Sequence, residues 1–520
     1  MPIFQQGALN TTALTVPDLY VDIVPPQNLV INGVPTNVIG VVGTASWGPV
    51  NKPVVIGTMA DYARAFGGVV ARKYDMGTSV ACAVQQGAAR FICVRVTDGT
   101  DTAATVDLNF ANGVYAVSLT ALYSGSLGNN LGVSLGAGSQ AGTWRLVVSM
   151  PGLLPEVYDN ILAPTPASFW ANLVAAVNTG VGPLRGPSQL VTAVLGSAIT
   201  ATPVSFTNLA LLGGTDGATS ISAATLVGQS GLTNTGMYAL SGQGCSIAVL
   251  ADSDDATQWQ TQAGFALSQG IYIILVGPAG DTVSDAVAVM QSSGVDSYAA
   301  KMMFGDWVYW YDQTNATIRV VSPQGFVAGR LGNLSPAQSG LNKPLYNVIG
   351  TQMSGLPGGN QATTYSDAEL SALFAAGIDV ICRPQPGGNY WGIRSGHNTS
   401  SNPATNNDSY TRMTNFIAAT LLSAMGQFVG QAITTGLFQQ IRATQLSYLQ
   451  TLLNQGILGS TNGALPFSVI CDGTNNPVSR TSLGYVQSDA QVQYLGINEY
   501  FIVNVEGGQT VQVQTQILPG

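Results

Sequence analysis

Charge is what this sequence has least of. Only 8% of its 520 residues are Asp, Glu, Lys or Arg, against ~25% in an ordinary soluble domain. Its lysines are Lys52, Lys73, Lys301 and Lys343, and no basic run occurs anywhere, so the electrostatic footprint of a nucleic-acid-binding protein is missing. Histidine is rarer still. His397, in the polar loop SGHNTSSN, is the only one. A Ser–His–Asp triad needs a positioned and oriented base, and a lone imidazole among Gly, Asn and Ser reads as a surface residue. No GxSxG elbow is present. No Lys precedes Ser or Thr, which excludes a GxxxxGK[ST] phosphate loop. SGQGCSI supplies Gly242 and Gly244 but no third glycine, and it precedes a strand rather than following one, so it fails as a dinucleotide fingerprint. The cysteines (Cys82, Cys93, Cys245, Cys382, Cys471) are odd in number and form no CxxC. They read as buried free thiols of a reducing compartment. No basic residue precedes Lys52, no apolar signal region opens the chain, and no uncharged apolar run reaches the ~20 residues of a membrane span. A chain made in a cytoplasm, without membrane insertion, is expected.

What is present is apolar mass. Hydrophobic residues make up 46% and glycines number 62, with a net charge of −9. A folded chain with room for about three or four domains follows. Its surface must be unusually neutral, and such a surface resists association poorly. Either other copies cover much of it, or the protein is a neutral monomer.

Along the chain, LYVDIV (Leu19 to Val24) alternates like a strand and is closed by Pro25-Pro26, a free-standing strand on an otherwise unstructured arm. From Val38 the texture is α/β. VIGVVG and PVVIG read as strands, Thr58 caps a short helix with Asp61 three residues on, DMGTSVACAVQQGA is a helix and FICVRV a strand. From about Thr97 to Gln243, short alternating runs between glycines and prolines indicate a β-rich insertion, with one helix at Ser168 to Val177. The α/β pattern returns with SIAVLA, the helix ATQWQTQAGFALSQG, IYIILVGP, the helix DTVSDAVAVMQSSG and SYAAKMMFGDWVYW as a further strand. The series implies a parallel, doubly wound sheet that joins the Val38 to Val96 segment. Two helices follow, one carrying Met413, Phe416, Ile417, Leu421, Ala424 and Phe428, the other Arg442, Leu446, Leu449 and Leu453. LPFSVICD, EYFIVNV and TVQVQTQI end the chain.

The acidic cluster Asp252, Asp254, Asp255 falls at the C-terminal end of a parallel strand, where α/β proteins bind ligands. It could hold a divalent cation. Alternatively, Ser253, Asp254 or Asp255 caps the next helix and the other acids favour its dipole; no second acidic cluster completes a metal site. Trp307, Tyr309, Trp310 and Tyr311 could stack a ligand, but with no basic residues around them they read as core or interface packing. No catalytic, cofactor or metal residue is assigned.

At GVPTNVIGVVGTASWGPVNKPVVIGTMADYARAFGG the sequence resembles the N-terminal signature of contractile phage tail sheath proteins, with Gly43-Thr44-Ala45, Gly48-Pro49, Asn51-Lys52-Pro53 and Phe66-Gly67-Gly68 in the family's positions. GSLGNNLGVSL, LLGGTDGA, SPQGFVAGRLG, NYWGIRS (Trp391, Gly392, Arg394), NQGILGS and FSVICD resemble later family segments in the family's order. Departures are Ser395 after Arg394, a junction reduced to Arg412, GID at Gly377 to Asp379, and the low charge. The resemblance implies a multidomain α/β and α+β subunit. An arm at 1–28 precedes a subtilisin-like, doubly wound sheath core at 29–97 plus 240–380. A β-rich domain is inserted at 98–239, and an α+β domain with a terminal strand arm occupies 381–520. It implies no enzyme activity and no cofactor. Its partners would be copies of itself in hexameric rings stacked helically, a tail tube, and baseplate and terminator proteins, all within a virion assembled in a bacterial cytoplasm. Contraction would drive the tube through the host envelope. Strand exchange between subunits would involve Leu19, Tyr20, Val21, Asp22 and Ile23 at one end and Val511, Val513, Thr515 and Ile517 at the other. Arg442, the only basic residue on its helix, is a candidate contact to the tube; a solvated helix face is the alternative. For the last strand, the other possibility is a hairpin with FIVNV through Gly507-Gly508. A sheath from a bacteriocin or injection device fits the same residues. An α/β hydrolase or nucleotide-binding enzyme would need a ligand at Asp252 to Asp255.

Overall fold

The computed structural model describes residues 31, 33–109, 114–182, 185–357 and 365–505, with the backbone of two strands before them. At its centre is a seven-stranded sheet in the order Ile378–Asp379, Ala300–Met303, Tyr272–Val276, Ile247–Leu250, Ile39–Gly43, Phe91–Arg95, Pro53–Ile56. Every pairing is parallel except the last, where Pro53–Ile56 runs antiparallel on the edge. The two segments separated by about 150 residues in sequence meet where Ile247–Leu250 pairs with Ile39–Gly43. Ile39–Gly43, Phe91–Arg95 and Tyr272–Val276 are buried throughout. Their lack of alternation follows from cover on both faces. One face packs on Met76–Gln85 and Gln324–Asn333, through Val80, Phe326 and Leu331. These two helices approach closely: a Cβ on Gly329 would lie 2.5 Å from Ala83. The other face packs on Trp259–Gln269, Val283–Ser293 and Asp367–Ala375 through Trp259, Phe265, Met290 and Leu373.

The expected caps are in place. Thr58 and Asp61 form a capping box on Met59–Phe66, which stops at Gly67. The expected single strand SYAAKMMFGDWVYW is two. Ala300–Met303 belongs to the parallel sheet, whereas Val308–Asp312 leaves it for an antiparallel sheet with Thr317–Val321 and Gly350–Thr351. Gly305-Asp306 breaks the run: a Cβ on Gly305 would meet the Pro278 carbonyl, so only glycine passes there.

Residues 103–210 form two antiparallel sheets. One holds Val191–Leu195, Val117–Ser124 and Ala103–Leu108, and the other Glu156–Leu162, Thr143–Ser149, Gly132–Ala137 and Phe206–Ala210. The helix between them spans Pro166–Thr179, capped by Thr165, and buries Phe169, Trp170 and Leu173. Buried Arg95 ties these sheets to the central one, donating to the carbonyls of Gly48 (2.8 Å), Ser124 (2.7 Å) and Asp216 (3.1 Å). Arg72 adds an ion pair to Asp216 at 2.6 Å.

Toward the C-terminus, Asp408–Met425 and Thr435–Asn454 pack through Met413, Ile417, Tyr448 and Leu449. Ile31 joins that cluster, and Val34 N–H donates to Thr420 Oγ1 at 3.2 Å, so the chain entering the central sheet is first fastened to these helices. Phe467–Ile470 pairs antiparallel with Asp489–Val492.

Two expectations at the termini change. Tyr20–Ile23 is not free-standing. It pairs in parallel with Ile3–Gln6, Ile3 opposite Tyr20, across a connection long enough for the crossover a parallel pair needs. Among the described residues FIVNV is not a strand: Phe501–Val505 forms no ladder with them and is exposed, Phe501 at 81% and Val505 at 86%, while its candidate hairpin partner lies outside the described residues. Leu19 and the stretch with Val511, Val513, Thr515 and Ile517 lie outside the described residues. Among the described residues, no helix is long and apolar enough to cross a membrane.

Candidate functional site

The strand Ile247–Leu250 delivers the acidic cluster to the crevice at the sheet's C-terminal edge. The three carboxylates then part company. Asp252, buried and at φ 53°, accepts the Tyr74 N–H at 3.0 Å. Asp254 pairs with Lys73 Nζ at 2.8 Å. Asp255 caps the turn that begins the next helix, accepting from Thr257 N–H at 2.9 Å. The crevice itself is filled by the protein's own chain: Thr44 N–H donates to the Tyr74 carbonyl (2.7 Å) and Met76 N–H to the Thr44 carbonyl (3.0 Å). No set of three metal-ligating side chains forms among the described residues.

Burial leaves a mark on this edge. It pushes the Asp252 carboxyl up to about 7, opposed by the Tyr74 N–H and helped by nearby Asp75. It pushes Asp75 up to about 6 against the Thr78 hydroxyl and Arg72. A carboxyl raised on folding stabilises the fold fully below its ordinary pKa of about 3.9. That contribution fades as pH rises through the folded value, here across pH 4 to 7. Asn at position 252 keeps the acceptor and tolerates the positive φ. Asp252→Asn is therefore expected to match the wild type near pH 4.5 and to exceed its stability by about 1–3 kcal/mol at pH 8. Unfolding curves at the two pH values check this; equal differences at both would refute the titration.

His397 is half-buried rather than on the open surface. Its Nε2 lies 3.0 Å from Glu499 Oε2, and Asn407 Nδ2 donates to Glu499 Oε1 at 3.0 Å. The ring's partner is a carboxylate that fastens the C-terminal segment, not a nucleophile. Of the aromatic run, Trp307 and Trp310 are buried, donating to the Gly277 carbonyl (3.1 Å) and Gln85 Oε1 (2.9 Å). They pack the core, and Tyr311 points outward at 47% exposure. All five cysteines are free and buried.

One polar centre was not anticipated from the sequence. Lys301, fully buried in its strand, donates to Asp379 Oδ2 (2.6 Å), the His397 carbonyl (2.8 Å) and Asp408 Oδ1 (3.2 Å). Tyr272 Oη also donates to Asp408. Burial alone would raise Asp379, but Lys301 and the N–H groups of Val380, Ser395 and Gly396 hold it low. Four residues on, Arg412 donates to the carbonyls of Leu331 (2.7 Å), Leu334 (2.6 Å), Ser335 (3.1 Å) and Gln338 (3.3 Å), closing the C-terminus of Gln324–Asn333. The start of Asp408–Met425 is thereby bonded to the parallel sheet and to a helix on its face. A lysine inside the apolar run AAKMMF was the available signal, since lysine is almost never fully buried unless paired.

Arg442 is exposed on Thr435–Asn454. Tyr20, Val21, Asp22 and Ile23 lie in the N-terminal strand pair.

No protein-family model and no curated protein matches the chain. Solved structures do. It is similar to the sheath tail protein of Listeria innocua at 14% identity and a TM-score of 0.59, covering 85% of this chain and 90% of that one. It is similar to the sheath tail protein of Desulfitobacterium hafniense at 14% identity and TM-score 0.55, covering 86% and 93%. It is also similar to the contracted sheath of PVC, an extracellular contractile injection system, at 11% identity and TM-score 0.54, over 96% of this chain and 99% of that one. The chain has the fold of contractile sheath subunits.

Proposed function

We propose that this protein is a structural subunit of a contractile tail sheath. Hexameric rings of it would stack helically around a tail tube and shorten to drive the tube through a host envelope. The reading rests on one observation: the likeness to sheath subunits runs over nearly the whole chain and nearly the whole of each relative. The plugged crevice and the carboxylates held by their own neighbours agree with a chain that performs no catalysis. In this reading residues 1–28 are an arm, 29–97 with 240–380 a doubly wound, subtilisin-like core, 98–239 an insertion, and 381–520 a C-terminal domain ending in a second arm. Partners are other copies, the tube, and baseplate and terminator proteins, within a virion built in the host cytoplasm. The likeness to PVC and to the anti-feeding prophage sheath supports a second reading, an injection device carrying the same machinery.

Negative-stain electron microscopy of the purified chain tests the proposal. Rings or tubes are expected, and a chain that stays monomeric at every concentration would sink it. Arg442 on its exposed helix face is the proposed contact to the tube. Arg442→Glu is expected to cut tube co-assembly by about tenfold while leaving sheath-only polymers intact, because one favourable charge pair becomes a repulsive one. Co-sedimentation with tube at wild-type levels would remove Arg442 from the interface.

A further inference from the structure

Cations are scarce in this chain, and most are held. Arg72, Lys73, Arg185, Lys301 and Arg319 sit in ion pairs. Arg95 and Arg412 are bonded to carbonyls. Lys343 and Arg394 differ. Among the described residues neither has an ion pair or a side-chain hydrogen bond, yet both are half-buried and line one cavity of about 640 Å³.

The floor of this cavity is rigid. Asn342 N–H donates to the Ile393 carbonyl (3.0 Å) and Leu345 N–H to the Trp391 carbonyl (2.8 Å), so the strips bearing Lys343 and Arg394 lie side by side. Tyr390 Oη braces Asn342 Oδ1 at 2.7 Å. The roof is the C-terminal segment around Glu499 and Phe501. Glu499 is the third charged group lining the space, and both its oxygens are engaged, by His397 and Asn407. Half-buried Lys343 and Arg394 thus line one hollow whose only carboxylate among the described residues, Glu499, is already taken by His397 and Asn407. Partly desolvated charge is costly until paired, and a guanidinium beside an ammonium is the donor set that suits a carboxylate.

We infer that this cavity receives a carboxylate from a second copy of the chain, held by Lys343 and Arg394. The inference rests on the sheath-subunit reading. Two observations favour a second copy as the source. Acids outnumber bases 26 to 17 in this sequence, and exposed Asp367 is an acid without a side-chain partner among the described residues. Phe501, which lines the cavity, belongs to the exposed apolar run Tyr500–Val505. A copy that covers that run sits over the cavity mouth.

Carbodiimide cross-linking of particles assembled from mixed isotopically light and heavy chains tests this, because the reagent joins an amine only to a carboxylate in contact with it. The expected product is Lys343 linked to an Asp or Glu of the other isotopic kind. Lys343→Gln/Arg394→Gln is expected to unfold at the wild-type temperature but to need about tenfold more protein to assemble at low salt, the equivalent of one lost interfacial pair. Lys343 linked only within its own chain, or left unlinked, overturns the inference. So does a double variant that assembles at the wild-type concentration. Stabilisation of the unassembled wild type, but not the variant, by inorganic phosphate, without inter-copy links, assigns the cavity to a small anion instead. A wild type that never assembles overturns the sheath reading and this inference together. Assembled particles with an unlinked Lys343 remove this inference alone.

Discussion

Lys301→Met is expected to cost about 3–5 kcal/mol of stability, the range for removing one partner of a buried ion pair. Methionine fills much of the same space, so packing is largely kept and the loss is electrostatic. Asp379 and Asp408, both fully buried, would face each other without a cation. Protonation of one of them offers partial relief, so the deficit should shrink as pH falls. Asp408→Asn placed in the Lys301→Met background removes one of the stranded charges and should restore part of the loss. Urea unfolding of the two variants at pH 5 and pH 8 measures this. A single variant with wild-type stability at pH 8 would show that the cluster contributes nothing beyond its packing.

Removal of residues 1–28 is expected to abolish tubes while leaving a folded chain. Ile3–Gln6 and Tyr20–Ile23 make a two-stranded sheet with both outer edges free of ladder partners among the described residues. A two-stranded ribbon is marginal by itself, and open edges accept further strands. In the proposed sheath, strands from neighbouring copies complete the ribbon, and the links it supplies are repeated at every subunit. The cut spares Ile31 and Val34, which fasten the next segment to Tyr448, Leu449 and Thr420. Circular dichroism and thermal unfolding should therefore stay near wild type while micrographs lose their tubes. Tubes unchanged in number and length would end the arm-exchange proposal.

The parallel sheet was legible in the sequence because its strands are continuous apolar runs separated by capped helices. VIGVVG, FICVRV, SIAVLA and IYIILVGP all fall where expected. That the Val38 to Val96 segment joins this sheet was legible too; that Ile39–Gly43 and Ile247–Leu250 are the strands that meet was not. Val308–Asp312 was misjoined because an apolar run does not reveal which sheet its ends enter. Ile3–Gln6 was missed because IFQQ, two apolar residues followed by two polar ones, does not alternate as a strand does. The Asp255 cap was readable from local chemistry. Lys301, Asp379 and Asp408 were not, because their meeting depends on three elements distant in sequence. The cavity at Lys343 and Arg394 escaped for the same reason. Arg394 stood out as part of a motif, but the neighbour that gives it meaning comes from another strip of chain.

The Glu499 fastening has a mechanical consequence. Among the described residues, a pull on the C-terminal segment meets its first hydrogen bonds to the body at Glu499, and passes to His397 and Asn407. His397 hands it through its carbonyl to Lys301, on the second of the seven strands of the central sheet. Asn407 hands it to the long helix it caps. Tension on the tail is thus shared between a strand and a helix axis instead of peeling either from its end. The C-terminal segment is thereby tied, through two half-buried contacts at Glu499, to both the central sheet and the long helix.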